Sequence, residues 1–287
     1  MTTTGRLVVV GTPIGNLGDL APRAVEALAA ADVIACEDTR RTGRLLAHLG
    51  LASPGFVVVN EHTEREATDT LLGRLAQGAI VVLVSDAGMP GVSDPGEYLV
   101  GRAIAADVSI EVVPGPSAVL HALVSSGLAT ARFAFDGFLP RKGAERARRL
   151  AEVAVERRTV VLFEAPHRLV RTIDDLRAVC GDDRRVVLAR ELTKLHEEIW
   201  RGPLAEASER VAEVEPRGEF VIVLDGAPPA AAATDAEIHS ALAVAIANGL
   251  STRDAAAEVA AELGVARRRV YDLAIARGAV NDADPER

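Results

Sequence analysis

Three loops, each placed directly after a short apolar run, carry the residue types in this sequence that are best suited to ligand chemistry. Gly11-Thr-Pro-Ile-Gly-Asn16 follows Leu7–Val10. Ser85-Asp-Ala-Gly-Met-Pro-Gly-Val-Ser-Asp-Pro-Gly96 follows Ile80–Val84, and Val113-Pro-Gly-Pro-Ser117 leads into a helix. In open α/β sheets, ligands collect at the carboxyl ends of strands, so these loops are where a site is expected. The first invites comparison with a dinucleotide fingerprint, but Pro13 and Asn16 stand where the second and third glycines would be. Pro13 adds a ring and removes an N–H where a pyrophosphate would approach, which disfavours a nicotinamide or flavin nucleotide. The second loop is stiffened by proline and opened by glycine, a composition suited to wrapping a flat ligand with main-chain hydrogen bonds. In the third, Ser117 is placed to cap a helix whose free N–H groups would favour a small carboxylate.

Charged residues also recur after strands, in Glu37-Asp-Thr-Arg40, Phe163-Glu-Ala-Pro-His-Arg168 and Ala189-Arg-Glu-Leu-Thr-Lys194. Each could be a surface ion-pair cluster. Their repetition at three strand ends favours convergence on one cleft. The segment holding Arg141, Lys142, Arg146, Arg148, Arg149 and Arg157 is the most basic part of a chain whose formal net charge is −9. That balance excludes a uniformly basic nucleic-acid binder, so phosphate contacts must come from a local patch such as this one. A solvated helix face with i,i+4 ion pairs is the plain alternative. Lys142 and Lys194 are the only lysines, against an abundance of arginine.

The elements that would position these loops alternate along the chain. Strands are expected at Leu7–Val10, Val33–Cys36, Phe56–Val59, Ile80–Val84 and Ile110–Val113, separated by amphipathic helices. The pattern restarts after a helix at Ala118–Ser125, with strands at Phe133–Phe138, Val160–Phe163, Val186–Ala189, Ile199–Arg201 and Phe220–Leu224. This is α/β architecture with mainly parallel strands, in two consecutive domains, 1–120 and 121–226. A Pro- and Ala-rich linker at 227–234 leads to an all-helical domain at 235–287. There Ser251 caps one helix, Gly264 ends it, and the next opens with Arg267-Arg268-Arg269, a helix-turn-helix pattern. Two cysteines, scattered histidines and no long apolar run point to a reduced, soluble, cytoplasmic protein without a metal cluster or membrane span.

The segments VGTPIGNLGDL (10–20), ACEDTRRTGRLL (35–46), VSDAGMPGVSDPG (84–96), VPGPSA (113–118), GFLPRKG (137–143), FEAPHR (163–168), ARELTK (189–194) and GEFVIVL (218–224) resemble the tetrapyrrole-methylase superfamily. Within it the chain resembles the family that 2′-O-methylates a cytidine of small-subunit ribosomal RNA. Met89 departs from that family, which usually has Thr there. The resemblance implies S-adenosylmethionine in a cleft between the two α/β domains. It would be held by Ile14, Ser85, Asp86, Gly88, Met89, Pro90, Val92, Ser117, Ala118, Phe163, Glu164 and Ala189. It also implies a homodimer and a substrate in the decoding region of 16S rRNA. Methyl transfer to a hydroxyl needs a proton acceptor, for which Asp38, Glu191 and Lys194 stand as catalytic candidates; Lys194 could serve only if its pKa were lowered. Arg40, Arg141, Lys142, Arg146, Arg149, Arg190, Arg267 and Arg268 are the expected RNA contacts. A tetrapyrrole precursor is the alternative acceptor. A DNA-reading regulator is disfavoured because 235–287 holds more acids than bases.

Overall fold

The computed structural model describes residues 5–229 and 233–281. The chain divides into two compact units, Met1–Ala227 and Pro228–Arg287. The first unit begins with β1 (Arg6–Val10), α1 (Pro22–Ala29), β2 (Val33–Cys36), α2 (Thr39–His48) and β3 (Phe56–Val58). It continues through α3 (Glu64–Ala76), β4 (Ile80–Leu83), α4 (Glu97–Ala105) and β5 (Ser109–Val113). These strands form an all-parallel sheet in the order β3-β2-β4-β1-β5. β1 and β4 are apolar without alternation because both faces are covered. Leu7 and Val9 pack with Leu71, Leu75 and Leu99 of α3 and α4. Val8 and Val10 pack with Ala24, Leu28 and Leu46 of α1 and α2.

The second sheet comprises β6 (Phe133–Phe138), β7 (Thr159–Glu164), β8 (Arg185–Arg190), β9 (Glu198–Pro203) and β10 (Phe220–Leu224), in the order β6-β7-β10-β8-β9. It corrects the expectation of mainly parallel strands. Only β6–β7 is parallel; β7–β10, β10–β8 and β8–β9 are antiparallel. α6 (Gly143–Val155), α7 (Pro166–Cys180) and α8 (Leu204–Glu213) cover one face through Leu150, Ile173 and Val211. The other face, with Val161, Val187, Ala189, Val221 and Val223, receives α5 (Ala118–Ser126) through Val119, Ala122 and Leu123. The boundary expected at residue 120 therefore falls inside a helix that packs as a whole on the second sheet. α5 follows β5 directly, so it ties the two sheets into one body.

The second unit is helical: α9 (Asp235–Ala247), α10 (Thr252–Glu262) and α11 (Arg267–Asn281). Thr234 and Glu237 close a capping box on α9, and Ser251 accepts a hydrogen bond from the Asp254 N–H to start α10. Gly264, at φ 63°, makes the left-handed turn after α10. Ile238, Leu242, Val259 and Val270 fill the small core. Residues 230–232 of the expected linker and 282–287 of the expected helical domain lie outside the described residues. Among the described residues no helix is long and apolar enough to cross a membrane.

Candidate active site

The three glycine-bearing loops meet at the carboxyl edge of the first sheet, held by main-chain contacts. The Gly11 N–H donates to the Val113 carbonyl at 3.0 Å. Thr12 and Gly88 exchange hydrogen bonds at 2.9 and 3.0 Å, and the Thr12 hydroxyl donates to the Ser85 carbonyl at 3.2 Å. Gly11 and Gly115 touch so closely that a Cβ on Gly11 would lie 2.7 Å from the Gly115 Cα and 2.7 Å from Met89 Sδ. Only glycine fits such an approach. Ser117 caps α5 through the Leu120 N–H, leaving the first turn of that helix facing the same place.

The second sheet supplies the facing wall. Ile14, Ala118 and Phe163 join one apolar cluster with buried Ala189 and Leu192. Phe163 meets the rings of Phe135 and Phe138 edge-on, at 4.9 and 5.6 Å. Two further contacts bring the loops of the first sheet against the second. Gly15 lies against the 192–194 segment, where a Cβ would sit 2.4 Å from Lys194 Cγ. Gly137, at the bulge in β6, lies against Ser93, and a Cβ on it would stand only 2.9 Å from Ser93 Oγ.

Most of the residues expected at a cofactor are thus brought together. Ile14, Ser85, Gly88, Met89, Pro90, Ser117, Ala118, Phe163 and Ala189 lie in or directly behind the converging loops and wall. Val92 is 47% exposed at the rim. The Asp86 side chain instead accepts from the Asp38 N–H at 3.2 Å and pairs with Arg41 at 3.3 Å. The Glu164 side chain departs from expectation. It is buried and spent on the Ala165 N–H, the Thr172 hydroxyl and Arg168.

Of the three expected catalytic groups, Glu191 and Lys194 come together beside Gly15, while Asp38 lies across the first sheet's edge. Lys194 Nζ donates to Glu191 at 2.9 Å and to Glu219 at 2.8 Å. Partial burial favours its neutral form, but those two carboxylates outweigh burial and raise its pKa. Lys194 is therefore a protonated anchor, and the lowered pKa that a lysine base requires is not met. Glu191 loses proton affinity in the same pair, despite the opposing effect of burial. The turn they occupy is strained, with Glu191 at φ 50° and Thr193 at φ 64°. Thr193 Oγ1 is buried there without a hydrogen-bond partner among the described residues. Asp38 caps α2 and grips Arg40 at 2.6 Å, and the Arg40 side chain holds its carboxyl well below the usual range.

Sequence reasoning passed over Asp94 and Glu219. Asp94 lies in the proline-stiffened loop and lines a hollow of about 840 Å³ with Glu37, Asp38, Asp86 and Ser93. Burial, then the charges of Glu37 and Asp86, push its carboxyl up to about 6, with a Ser85 hydrogen bond opposing. Its place in the loop was visible in the sequence; its burial among other carboxylates was not.

The expected RNA contacts divide. Arg141, Lys142, Arg267 and Arg268 are exposed, the last beside Asp272 at 4.0 Å. Arg40 is exposed but paired with Asp38, Arg149 is paired with Glu152 and Asp136, and Arg190 donates to the Arg217 carbonyl at 2.7 Å. Arg146 must be withdrawn from the surface patch. It is 3% exposed and bonds to Asp175, the Pro140 carbonyl and Thr172. Its stripe-mates Leu150 and Val153, four and seven residues on, are buried too.

Comparison with known proteins agrees with this geometry. Residues 6–208 match the family model for Tetrapyrrole (Corrin/Porphyrin) Methylases, and residues 232–278 match the RsmI C-terminal HTH domain. Ribosomal RNA small subunit methyltransferase I of Synechocystis sp. is 44% identical over 94% of this chain and 98% of its own length. The protein of the same name from Pseudomonas aeruginosa is 43% identical over 96% and 98%. Among solved structures, uroporphyrin-III C-methyl transferase from Thermus thermophilus complexed with S-adenyl homocysteine is 26% identical. It aligns at a TM-score of 0.55 over 77% of this chain and 97% of that one. The methyltransferase CobJ, at 22% identity and TM-score 0.60 over 78% and 95%, shares the fold. The converging glycine loops, the apolar facing wall and these likenesses together make S-adenosylmethionine the cofactor. This chain belongs to the tetrapyrrole methylase family and, within it, to the family of ribosomal RNA small subunit methyltransferase I.

Proposed function

We propose that this protein methylates the 2′-oxygen of a cytidine ribose in the decoding region of 16S rRNA, acting on the small ribosomal subunit as a homodimer. The observation that carries the reading is the cleft itself. Main-chain loops of the first sheet face an apolar wall and a charged turn of the second, so both sheets border the place where donor and acceptor would meet. The rRNA acceptor is supported by the names of relatives similar over nearly the whole chain. S-adenosylmethionine supplies an electrophilic methyl carbon. Its carboxylate suits the first turn of α5, capped by Ser117, and the Ser85–Pro90 main chain suits its polar edges. Ile14, Ala118 and Phe163 exclude water from the path of transfer.

The chain must then align the acceptor oxygen and take its proton as the C–O bond forms and the C–S bond breaks. Alignment is worth up to about 7–11 kcal/mol, and a positioned base adds about 10²–10⁴-fold. Asp94 is the acid proposed as that base: its neighbour Ser93 lies against Gly137 of the second sheet, and burial raises its carboxyl to about 6. Lys194, gripped by Glu191 and Glu219, fixes the turn against Gly15 and presents a cation toward the acceptor strand.

Tritiated S-adenosylmethionine offered with 30S subunits, bare 16S rRNA and a tetrapyrrole precursor tests the reading. Label is expected in rRNA, at a nucleotide whose 3′ linkage resists alkali because its 2′-oxygen is blocked. Label in a base or only in the tetrapyrrole would overturn the acceptor assignment.

A further inference from the structure

Beyond the cleft, the carboxyl ends of β6 and β7 open onto a second cavity, of about 350 Å³. It is lined by Arg141, Arg146, His167, Arg168, Arg171 and Thr172. Its charge is unbalanced. Arg146 and Arg171 share the single carboxylate of Asp175, at 2.8 and 3.6 Å, and Arg168 pairs with Glu164 at 3.2 Å. The four arginines of the cavity thus meet two carboxylates, leaving an excess of two positive charges in a chain whose formal net charge is −9.

The floor is held by several hydrogen bonds and the mouth opens to solvent, where Arg171 also donates to the Arg141 carbonyl at 3.4 Å. Arg146 is fixed by three partners, and Arg168 donates to the Leu139 carbonyl as well as facing Glu164. Arg141 is exposed, and Arg171 keeps 62% of its side chain in solvent. α7 begins here, fifteen residues long, with Pro166 in its first turn and no side chain capping it, so its positive dipole end adds to the field. Planar guanidinium forks around a concave floor match the geometry of phosphate oxygens. The cavity also sits next in sequence to the cleft wall, since Phe163 precedes it on β7 and Phe138 on β6.

We propose that this cavity is a phosphate subsite for the RNA acceptor, with Arg141 and Arg171 as its ligating cations and Arg146 and Arg168 as the buried groups that position them. The proposal rests on the rRNA reading and adds a defined place for one phosphodiester. It also differs from a diffuse basic helix face. Arg148 and Arg149, which carry the outer face of α6, are paired with Glu152 and stand outside the cavity.

The test uses the full chain, a labelled 16S rRNA transcript and 30S subunits, with binding measured across a salt series. Arg141→Ala with Arg171→Ala is expected to weaken RNA binding at least tenfold. It should also reduce the slope of log K against log salt by about 1, as loss of one phosphate contact requires. Affinity for S-adenosylhomocysteine and the thermal midpoint should stay at wild-type values. Arg102→Ala, on α4 beside Tyr98, should leave the slope unchanged. An unchanged slope in the double variant, while the wild type still methylates rRNA, would overturn the subsite alone. A wild type that binds and methylates no RNA would overturn the acceptor reading and this occupant together. Loss in the double variant of tetrapyrrole binding, with RNA binding intact, would give the cavity to carboxylates and overturn the proposal.

Discussion

At the scale of single residues, Lys194 and Asp94 exchange the roles their types suggest. Lys194, with Glu191 at 2.9 Å and Glu219 at 2.8 Å, stays charged. Lys194→Ala should lower turnover about 100-fold, the cost of a turn displaced by an ångström, and change S-adenosylhomocysteine affinity only a few-fold. Single-turnover kinetics with calorimetry would separate the two, and unchanged turnover would remove Lys194 from the site. Asp94 carries a distinct pH signature. Its folded-state pKa, about 6, lies above the ordinary 3.8, so the stability linked to its protonation is present at low pH and lost as pH rises through 6. Asp94→Asn should therefore raise the thermal midpoint at pH 8, with the gain shrinking toward pH 4, while slowing methylation. A midpoint difference independent of pH would contradict the burial argument. The loop residues were legible in the sequence because glycine and proline punctuate it. The burial of Arg146 was also legible in principle, as it shares a helical stripe with Leu150 and Val153. The basic run around it concealed that stripe. The pairing of Lys194 with Glu219, twenty-five residues away, had no local signal.

At the scale of elements, the three loops behave as one object because their backbones touch. Gly11→Ala would drive a methyl group into the Gly115 main chain and Met89 at 2.7 Å. Overpacking of this kind costs about 1–3 kcal/mol. The expected result is a lower urea midpoint together with a loss of S-adenosylhomocysteine affinity, since every loop must move. A variant with wild-type affinity would show that the loops adapt independently. The parallel strands of the first sheet were readable because burial on both faces leaves unbroken runs such as Leu7–Val10. The mixed second sheet was not read from composition, since its central strands β7, β8 and β10 are just as apolar. A geometric signal was present: seven residues separate Arg190 from Glu198, too few for a parallel crossover.

At the scale of the whole molecule, the proposed homodimer is expected to form through an exposed apolar face of the first unit. β5 is an edge strand, and Val112 on it is 51% exposed, while Leu120 and Val124 on the following α5 are 52% and 75% exposed. Val124→Glu should shift sedimentation from dimer toward monomer; a variant sedimenting as the wild type would place the interface elsewhere. The division of labour between the sheets has a wider consequence. In the proposed reading, donor capture rests largely on backbone shape in the first-sheet loops, where a single methyl group added at Gly11 would disturb three loops at once. The proposed acceptor contacts are instead side chains projecting at the ends of β6, β7 and β8. In those terms, substitutions among the projecting side chains are expected to alter which acceptor is held while leaving the grip on the methyl donor unchanged.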